Sequence, residues 1–308
     1  MDTPSAVNTV TRPTSDRPRG VAIAANPYSG RKQNRQRVEA LAAALQEAGL
    51  EPRLMWGRDE LAEAAANQSF NGDYRTVVAA GGDGTLNRVI NYQIDVPLAM
   101  FPLGNQNLFA RQFGHVGDPE AMARSIVAGK TRTIDLGRAA GRLFSIVASA
   151  GFDGDAAHRL ARWRERGDRL KRVRSLSYTW PIISSAWRYR YPLVDLEADG
   201  RRVRGALVMV FNLPRYAADL PLAADAVADD GLLDWLVFEK PGSIRLARYA
   251  LSVWLDRHRR RGDVFHGRAR RIELSCQEPV PLEIDGEAAG FAPLSIEVVP
   301  AALRVIVP

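Results

Sequence analysis

Two periods of apolar residues take turns from Val21 to Ala128. Short apolar runs at Val21–Ala25, Pro52–Met55, Thr76–Ala80 and Val96–Phe101 have the length of buried strands. Between them, apolar residues at helical spacing predict helices over Lys32–Ala48, Asp59–Asn67, Thr85–Tyr92, Asn107–Gln112 and Pro119–Ala128. The first carries Val38, Leu41, Ala44, Leu45 and Ala48 on one face and stops at Gly49. Strand and helix in alternation predict an α/β domain over 19–133, a doubly wound and mostly parallel sheet. Ligands of such sheets sit at the carboxyl ends of the strands.

The pattern changes near Thr131. Strands are expected at Thr131–Gly137, Leu143–Ala150, Leu193–Ala198, Arg202–Phe211, Leu232–Phe238, Arg270–Ser275, Leu282–Ile284 and Leu294–Val299. Turn signals at Ala198-Asp199-Gly200 and Asp229-Asp230-Gly231 join some of them. Helices are expected at Ala156–Arg166, around Ser175–Arg188 and at Ile244–Leu255. This predicts a second domain over 134–308, an antiparallel β-sandwich with helical insertions, its final residues packing back on the first domain. Residues 1–18 are polar, include three prolines and lack an apolar core, which predicts a disordered leader rather than a signal peptide.

Three loops after predicted strands carry candidate chemistry. In Gly81-Gly82-Asp83-Gly84-Thr85-Leu86-Asn87, a strand runs through glycines into a helix, a context that turns backbone N–H groups towards an anion. A dinucleotide fingerprint wants glycine where Asn87 stands, and a Walker loop wants a terminal Gly-Lys-Thr. Neither has an acid at its centre. A carboxylate beside phosphate is repelled unless a cation bridges it or it takes a proton, so Asp83 points to phosphoryl transfer. Asn26-Pro27-Tyr28-Ser29-Gly30 is either a second phosphate loop or a tight turn. Pro102-Leu103-Gly104-Asn105-Gln106-Asn107 either closes over a nucleotide or caps the next helix. Asp229-Asp230-Gly231 and Asp285-Gly286 are turns by default. The carboxylates of the first would also suit Mg²⁺.

Composition narrows the partners. The chain has 308 residues, 46% hydrophobic and 25% charged, with net charge +7. All but four of its 42 basic residues are arginine, whose fork matches phosphate and carboxylate. Cys276 is the single cysteine, so no intrachain disulfide forms. His115, His158, His258 and His266 lack metal-ligand spacing. No run approaches the length of a spanning helix, and no nucleic-acid module is recognisable.

Six motifs in order resemble one family. They are Asn-Pro-x-Ser-Gly at 26–30, Gly-Gly-Asp-Gly-Thr-Leu-Asn at 81–87, Pro-Leu-Gly…Asn…Phe-Ala-Arg at 102–111, Gly-Phe-Asp-Gly-Asp at 151–155, Asp-Gly-Leu-Leu-Asp at 230–234 and Ile-Asp-Gly-Glu at 284–287. Together they are similar to the diacylglycerol kinase catalytic family, which includes bacterial lipid kinases and the sphingosine and ceramide kinases. The resemblance spans residues 19–308 and implies an NAD kinase/phosphofructokinase-like α/β domain followed by a lipid-binding β domain. It implies ATP- and Mg²⁺-dependent phosphorylation of a lipid hydroxyl, with diacylglycerol, ceramide or sphingosine as acceptors.

By motif position, Asn26, Pro27, Ser29, Gly30, Gly81, Gly82, Asp83, Gly84, Thr85, Asn87, Gly104, Asn105 and Asn107 would bind ATP. Asp230 would hold Mg²⁺ with carbonyls of Val227 and Leu232. Asp83 or Glu287 would take the proton. Phe152 and Asp155 would meet the lipid headgroup. The chain departs from the family's pattern at Arg88, Asn105 and Leu108, where Glu, Thr and Asp are usual.

Arg159–Arg174 carries eight basic residues, suiting an anionic membrane surface at the inner face of a cytoplasmic membrane; a solvated helix face is the plainer reading. Arg257–Arg261 is a weaker candidate. Trp163, Trp180, Trp187 and Trp254 fall in helical patterns, as core or as contacts with the lipid phase. An NAD kinase and a degenerate binding protein are the alternatives. The oligomeric state, a homodimer included, is left open.

Overall fold

The computed structural model describes residues 18–25, 32–57, 59–66, 72–165, 186–217 and 219–308. The chain forms two compact units, one of residues 1–134 with 301–308 and one of residues 135–300.

The first unit is built on a parallel sheet. Its strands are β1 (Gly20–Ala25), β2 (Glu51–Trp56), β3 (Tyr74–Gly81) and β4 (Leu98–Pro102), in the order β2-β1-β3-β4. β1, and β3 from Val77 onwards, read as continuous apolar runs because helices cover both faces of such a sheet. Helix α1 (Lys32–Glu47) buries Val38, Leu41 and Leu45 with Val21, Ile23, Val78 and Phe101. Four further helices follow: α2 (Asp59–Ala66), α3 (Asp83–Asn91), α4 (Leu108–Gln112) and α5 (Pro119–Ala128). In α5 the cap chemistry is complete. The Asp118 side chain accepts the Ala121 N–H, Pro119 opens the helix, and Gly129 ends it at φ 62°.

A fifth parallel strand comes from the far end of the sequence. The last residues of β16 (Leu294–Ile306) lie beside β4, with Val305 opposite Leu98. Buried His115 fastens it. Its Nδ1 accepts the Met100 N–H at 3.4 Å, which leaves Nε2–H to donate to the Ile306 carbonyl at 2.6 Å.

The second unit is antiparallel. Its first strands are β5 (Thr131–Ala139, which begins in the first unit), β6 (Arg142–Phe144) and β7 (Val147–Gly151). Then come β8 (Val194–Ala198), β9 (Arg201–Gly205), β10 (Leu207–Phe211), β11 (Leu233–Phe238) and β12 (Val264–Ala269). The last are β13 (Arg271–Cys276), β14 (Val280–Ile284) and β15 (Glu287–Ala292). One sheet runs β12-β11-β10-β7-β14-β15, and the start of β16 pairs with β13, then β8 and β9. Val208, Val210 and Val237 of the first share a core with Leu196, Leu274 and Ile296 of the second, the packing of a sandwich. Helices α6 (Phe152–Glu165) and α7 (Ser243–Trp254) are inserted.

Two expected strands are each split in two. Leu143–Ala150 breaks because the Asp285 carboxylate takes the N–H groups of Ser145, Ile146 and Val147. Arg202–Phe211 breaks at Ala206, where the chain passes from β9, paired with β8, to β10 in the other sheet. Gly205 permits that passage: a Cβ there would lie 2.6 Å from the Phe238 carbonyl oxygen. β12 and β15 were not expected, because Gly and Arg interrupt one (VFHGRA) and small residues dominate the other (EAAGFA).

The Asp199-Gly200 turn joins β8 to β9 with both residues at positive φ, as a two-residue hairpin requires. Asp229-Gly231 is not a hairpin; it follows a run of turns and leads into β11. Most of Ser175–Arg188, with Trp180, lies outside the described residues. Trp187 and Trp254 are exposed at 71% and 70%.

Candidate active site

The strand order places the carboxyl ends of β1, β3 and β4 side by side, and each strand leads in sequence into one of the three candidate loops. The first, with Asn26, Pro27, Ser29 and Gly30, lies outside the described residues. The other two touch. Gly82 caps α3 in extended conformation without a side chain to close it, so the helix's first N–H groups meet no side-chain cap. A Cβ on Gly104 would stand 2.7 Å from the Gly82 Cα and 2.8 Å from the Asn107 Oδ1. Glycine at 104 is therefore a packing requirement, and at 82, where a Cβ would lie 3.3 Å from the Gly104 Cα, the fit is tight. At Gly81, a Cβ would collide with the Thr85 side chain.

Asn107 holds the second loop closed. Its Oδ1 accepts the Gly104 N–H at 3.0 Å and its Nδ2 donates to the Gly104 carbonyl at 2.9 Å. It does so from the left-handed region, at φ 49°, which Asn tolerates. Asn105 is exposed in the same loop.

Asp83 opens α3 and reaches across to α4. Its Oδ2 accepts the Leu108 N–H and its Oδ1 the Phe109 N–H, each at 3.3 Å. The carboxylate thus sits on the positive end of a helix. Thr85 and Asn87 are buried behind the loop. Asn87 accepts from Asn91 Nδ2 through its carbonyl at 2.8 Å and its Oδ1 at 3.3 Å, so it braces α3 from within.

In the second unit, Asp285-Gly286 is a two-residue turn between β14 and β15, both residues at positive φ. Asp285 is buried and accepts from Ser145 N (2.8 Å), Ser145 Oγ (3.2 Å), Ile146 N (2.9 Å) and Val147 N (2.9 Å). Glu287, just past the turn, is half-buried and paired with Arg142 at 3.0 Å.

The buried acid is its neighbour Glu283, which accepts from Ser149 Oγ at 3.0 Å and from the Gly286 N–H. Burial pushes Glu283 up to about 8, with Asp153 and Asp285 adding to the shift. Burial also lifts Asp153, on the first turn of α6, to about 6. Tyr216 is raised by burial and by Glu283 and Asp153. The sequence singled out neither Glu283 nor Asp153 as a buried acid. The available signal was an acidic residue at an inward position of an apolar strand, Leu282-Glu283-Ile284.

Val227, Asp230 and Leu232 lie in one turn, and the fit to a divalent cation is poor. The Asp230 carboxylate is ion-paired with Arg268, and its Oδ1 accepts the Leu232 N–H at 3.1 Å. Arg268 also reaches Asp234 at 3.4 Å. Among the described residues no group of three or more His, Cys, Asp or Glu side chains converges as a metal site. Mg²⁺ demands near-octahedral oxygen ligation, and here a guanidinium already neutralises the carboxylate.

Phe152 is buried at the start of α6, edge-on to Tyr189 and stacked with Tyr191, with ring centroids 6.3 and 6.4 Å away. Asp155 accepts from Arg159 Nε at 2.6 Å. It lines a cavity of about 560 Å³ with that arginine. Among the described residues no helix is long and apolar enough to cross a membrane.

A parallel α/β unit with phosphate-type loops, followed by an antiparallel sandwich, defines a two-domain kinase architecture. A diacylglycerol kinase catalytic domain model matches residues 20–139, and a YegS C-terminal NAD kinase beta sandwich-like domain model matches residues 146–307. A diacylglycerol kinase of Mycobacterium tuberculosis (strain ATCC 25618 / H37Rv) is 30% identical over 243 residues, 75% of this chain and 76% of that one. One of Staphylococcus aureus (strain bovine RF122 / ET3-1) is 27% identical over 278 residues, 87% of this chain and 86% of that one. A crystal structure of a diacylglycerol kinase from Bacillus anthracis str. Sterne aligns with TM-score 0.64 at 20% identity, covering 95% and 97% of the two chains. The chain belongs to the diacylglycerol kinase catalytic family and is a lipid kinase. Membership implies ATP as phosphoryl donor and a lipid as acceptor.

Proposed function

We propose that the protein transfers the γ-phosphoryl group of ATP, as its Mg²⁺ complex, to a lipid hydroxyl. Diacylglycerol, the substrate in the relatives' names, heads the acceptors, with ceramide and sphingosine after it. The observation that carries the reading is the Gly81–Thr85 turn. It ends a parallel strand on an uncapped helix N-terminus and places Asp83 there, fixed by two backbone N–H groups.

Backbone N–H groups at the start of α3 and the Gly104–Asn107 loop receive the phosphates. The Asn26–Gly30 loop adds the Ser29 hydroxyl and further backbone N–H groups. Asp83 orients the acceptor hydroxyl and takes its proton, and Glu287 is the second candidate for that proton. Mg²⁺ supplies charge neutralisation on the moving phosphoryl group; its ligands are sought among the ATP phosphates rather than at Asp230. Phe152 and Asp155 belong to the lipid side. The enzyme works at the inner face of the membrane as a peripheral protein.

Purified protein with radiolabelled ATP and a panel of diacylglycerol, ceramide, sphingosine and NAD tests this. Label on a lipid, lost in Asp83→Asn with folding intact, supports the reading. Label on NAD alone, or full activity in Asp83→Asn, overturns it.

A further inference from the structure

The sheet face that α6 covers holds an acid with no part in the reaction as described above. On β14, Val280, Leu282 and Ile284 belong to the sandwich core, so Glu283 lies on the opposite face. On β7, Ala148 and Ala150 are core residues, and Ser149, opposite Glu283 in register, shares that other face. The first turn of α6 lies directly on β14: a Cβ on Gly154 would collide with the Pro281 carbonyl. Glu283 is 1% exposed.

Glu283 holds the turn that follows it. One carboxyl oxygen meets the Ser149 hydroxyl at 3.0 Å, and the other accepts the Gly286 N–H. Gly286 is the second residue of the Asp285-Gly286 turn, and Glu287 is the next residue. The Asp285 carboxylate grips the same turn through the N–H groups of Ser145, Ile146 and Val147. Glu287 thus leaves a turn tied down at both central residues. Asp285 ties it to the link between β6 and β7. Glu283 ties it to the face beneath α6, whose first turn carries Phe152 and Asp155.

We propose that Glu283 is a positioning residue for phosphoryl transfer: it fixes the turn that carries Glu287 against the first turn of α6, where Phe152 and Asp155 stand. The inference rests on the reading of Glu287 as a proton acceptor. Orientation is what it contributes, and a misplacement of about 1 Å costs about 10²-fold in rate.

The grip depends on a proton. Burial first, then Asp153 from α6 and Asp285 from the turn, push Glu283 up to about 8. Tyr216, from the loop after β10, faces it as well, and its partner on β15 is Ala288, which carries no charge. Asp153 titrates at about 6, so between about 6 and about 8 the two acids hold one proton. Above about 8 both are ionised, and like charges on α6 and β14 repel each other in a dry site. The turn then parts from α6.

The test follows kcat and KM of the full chain, well below its Tm, with radiolabelled ATP and diacylglycerol in detergent micelles. Glu283→Ala should lower kcat about 10–100-fold with KM for ATP unchanged. Placed on Glu287→Gln, it should add no further loss. Glu283→Gln keeps an acceptor for the Gly286 N–H and stays neutral. Its kcat relative to wild type should rise about tenfold from about pH 7 to pH 9, as the acid it replaces ionises. Hydrogen exchange over residues 284–289 should quicken in Glu283→Ala and not in Glu283→Gln. A role in stability alone would move Tm and leave the kcat ratio flat.

Full kcat in Glu283→Ala beside an impaired Glu287→Gln overturns the proposal. So does a loss that adds to that of Glu287→Gln, or a ratio of Glu283→Gln to wild type that is constant with pH. Should Glu283→Ala not fold, the pH series in Glu283→Gln decides alone. Full kcat in Glu287→Gln is a different result: it ends the reading of Glu287 as a proton acceptor, and the positioning role falls with it.

Discussion

The carboxylate of Asp83 accepts the backbone N–H of Leu108 at 3.3 Å. Where the family's pattern has a second acid at position 108, this chain presents a buried leucine whose main chain is tied to the remaining acid. Asp83 therefore joins two helices as well as standing in the Gly81–Thr85 turn.

That double duty separates two variants. Asp83→Asn keeps an acceptor for the Leu108 N–H and should fold normally while losing about 10²–10⁴-fold in phosphoryl transfer. Asp83→Ala should lose activity and also about 1 kcal/mol of stability in the first unit, the usual cost of a lost cap. Activity and denaturant titrations on both proteins check the split. Equal stability of the two variants would deny the tie to α4 a structural role.

Asp285 is a structural anchor, and its removal should act through folding. Asp285→Ala strands the buried N–H groups of Ser145, Ile146 and Val147. A loss of about 3 kcal/mol or more is expected, at about 1–3 for each donor left unmet. Urea unfolding measures it, and a loss below about 1 kcal/mol would contradict the assignment.

Glu283 gives the second unit a pH dependence of definite sign. Its folded value, about 8, lies above the ordinary 4.5. Between those values the unfolded chain has released a proton that the folded unit keeps, so stability falls as pH rises. Below 4.5 the contribution is whole; above about 8 it is lost. Asp153, Asp285 and Tyr216 face the group and Ser149 bonds it. Glu283→Gln should therefore gain in Tm over wild type, by a few degrees, between about pH 5 and pH 9. A constant difference across that range would show Glu283 ionised in the fold.

Arg268 should make the Asp230 turn indifferent to metal. Wild-type Tm without nucleotide should not respond to Mg²⁺ or chelator. Arg268→Gln removes the guanidinium that pairs with Asp230 and Asp234, and Mg²⁺ should then raise its Tm. A Mg²⁺ response in wild type that Asp230→Asn abolishes would restore the metal site.

Much of the first unit was legible because each element obeys one rule. The helix Pro119–Ala128 carries an aspartate cap, a first-turn proline and a terminal glycine, and its bounds are those expected. The motif glycines were legible as loops, but the reason for Gly104 was not. It is demanded by Gly82, distant in sequence and adjacent in space.

The second unit was harder because its strand breaks are made by distant groups. Nothing near Ser145 announces that Asp285 will claim its N–H, and Gly205 beside Ala206 marks a possible bend but not a change of sheet. The same limit hid Glu283, whose polar side chain is inward because Ser149 and the Gly286 N–H meet it.

The strand beside β4 has a consequence for how the molecule is made. Val305 and Ile306 complete the sheet of the first unit only after every residue of the sandwich has been synthesised. On a ribosome, emerging chain folds domain by domain, yet here the first unit must wait with one edge of its sheet open. An unpaired edge is where strands of other chains add. Translation that stalls within the sandwich would therefore leave an exposed β4 edge, and the fastening of Ile306 by His115 is the step that closes it.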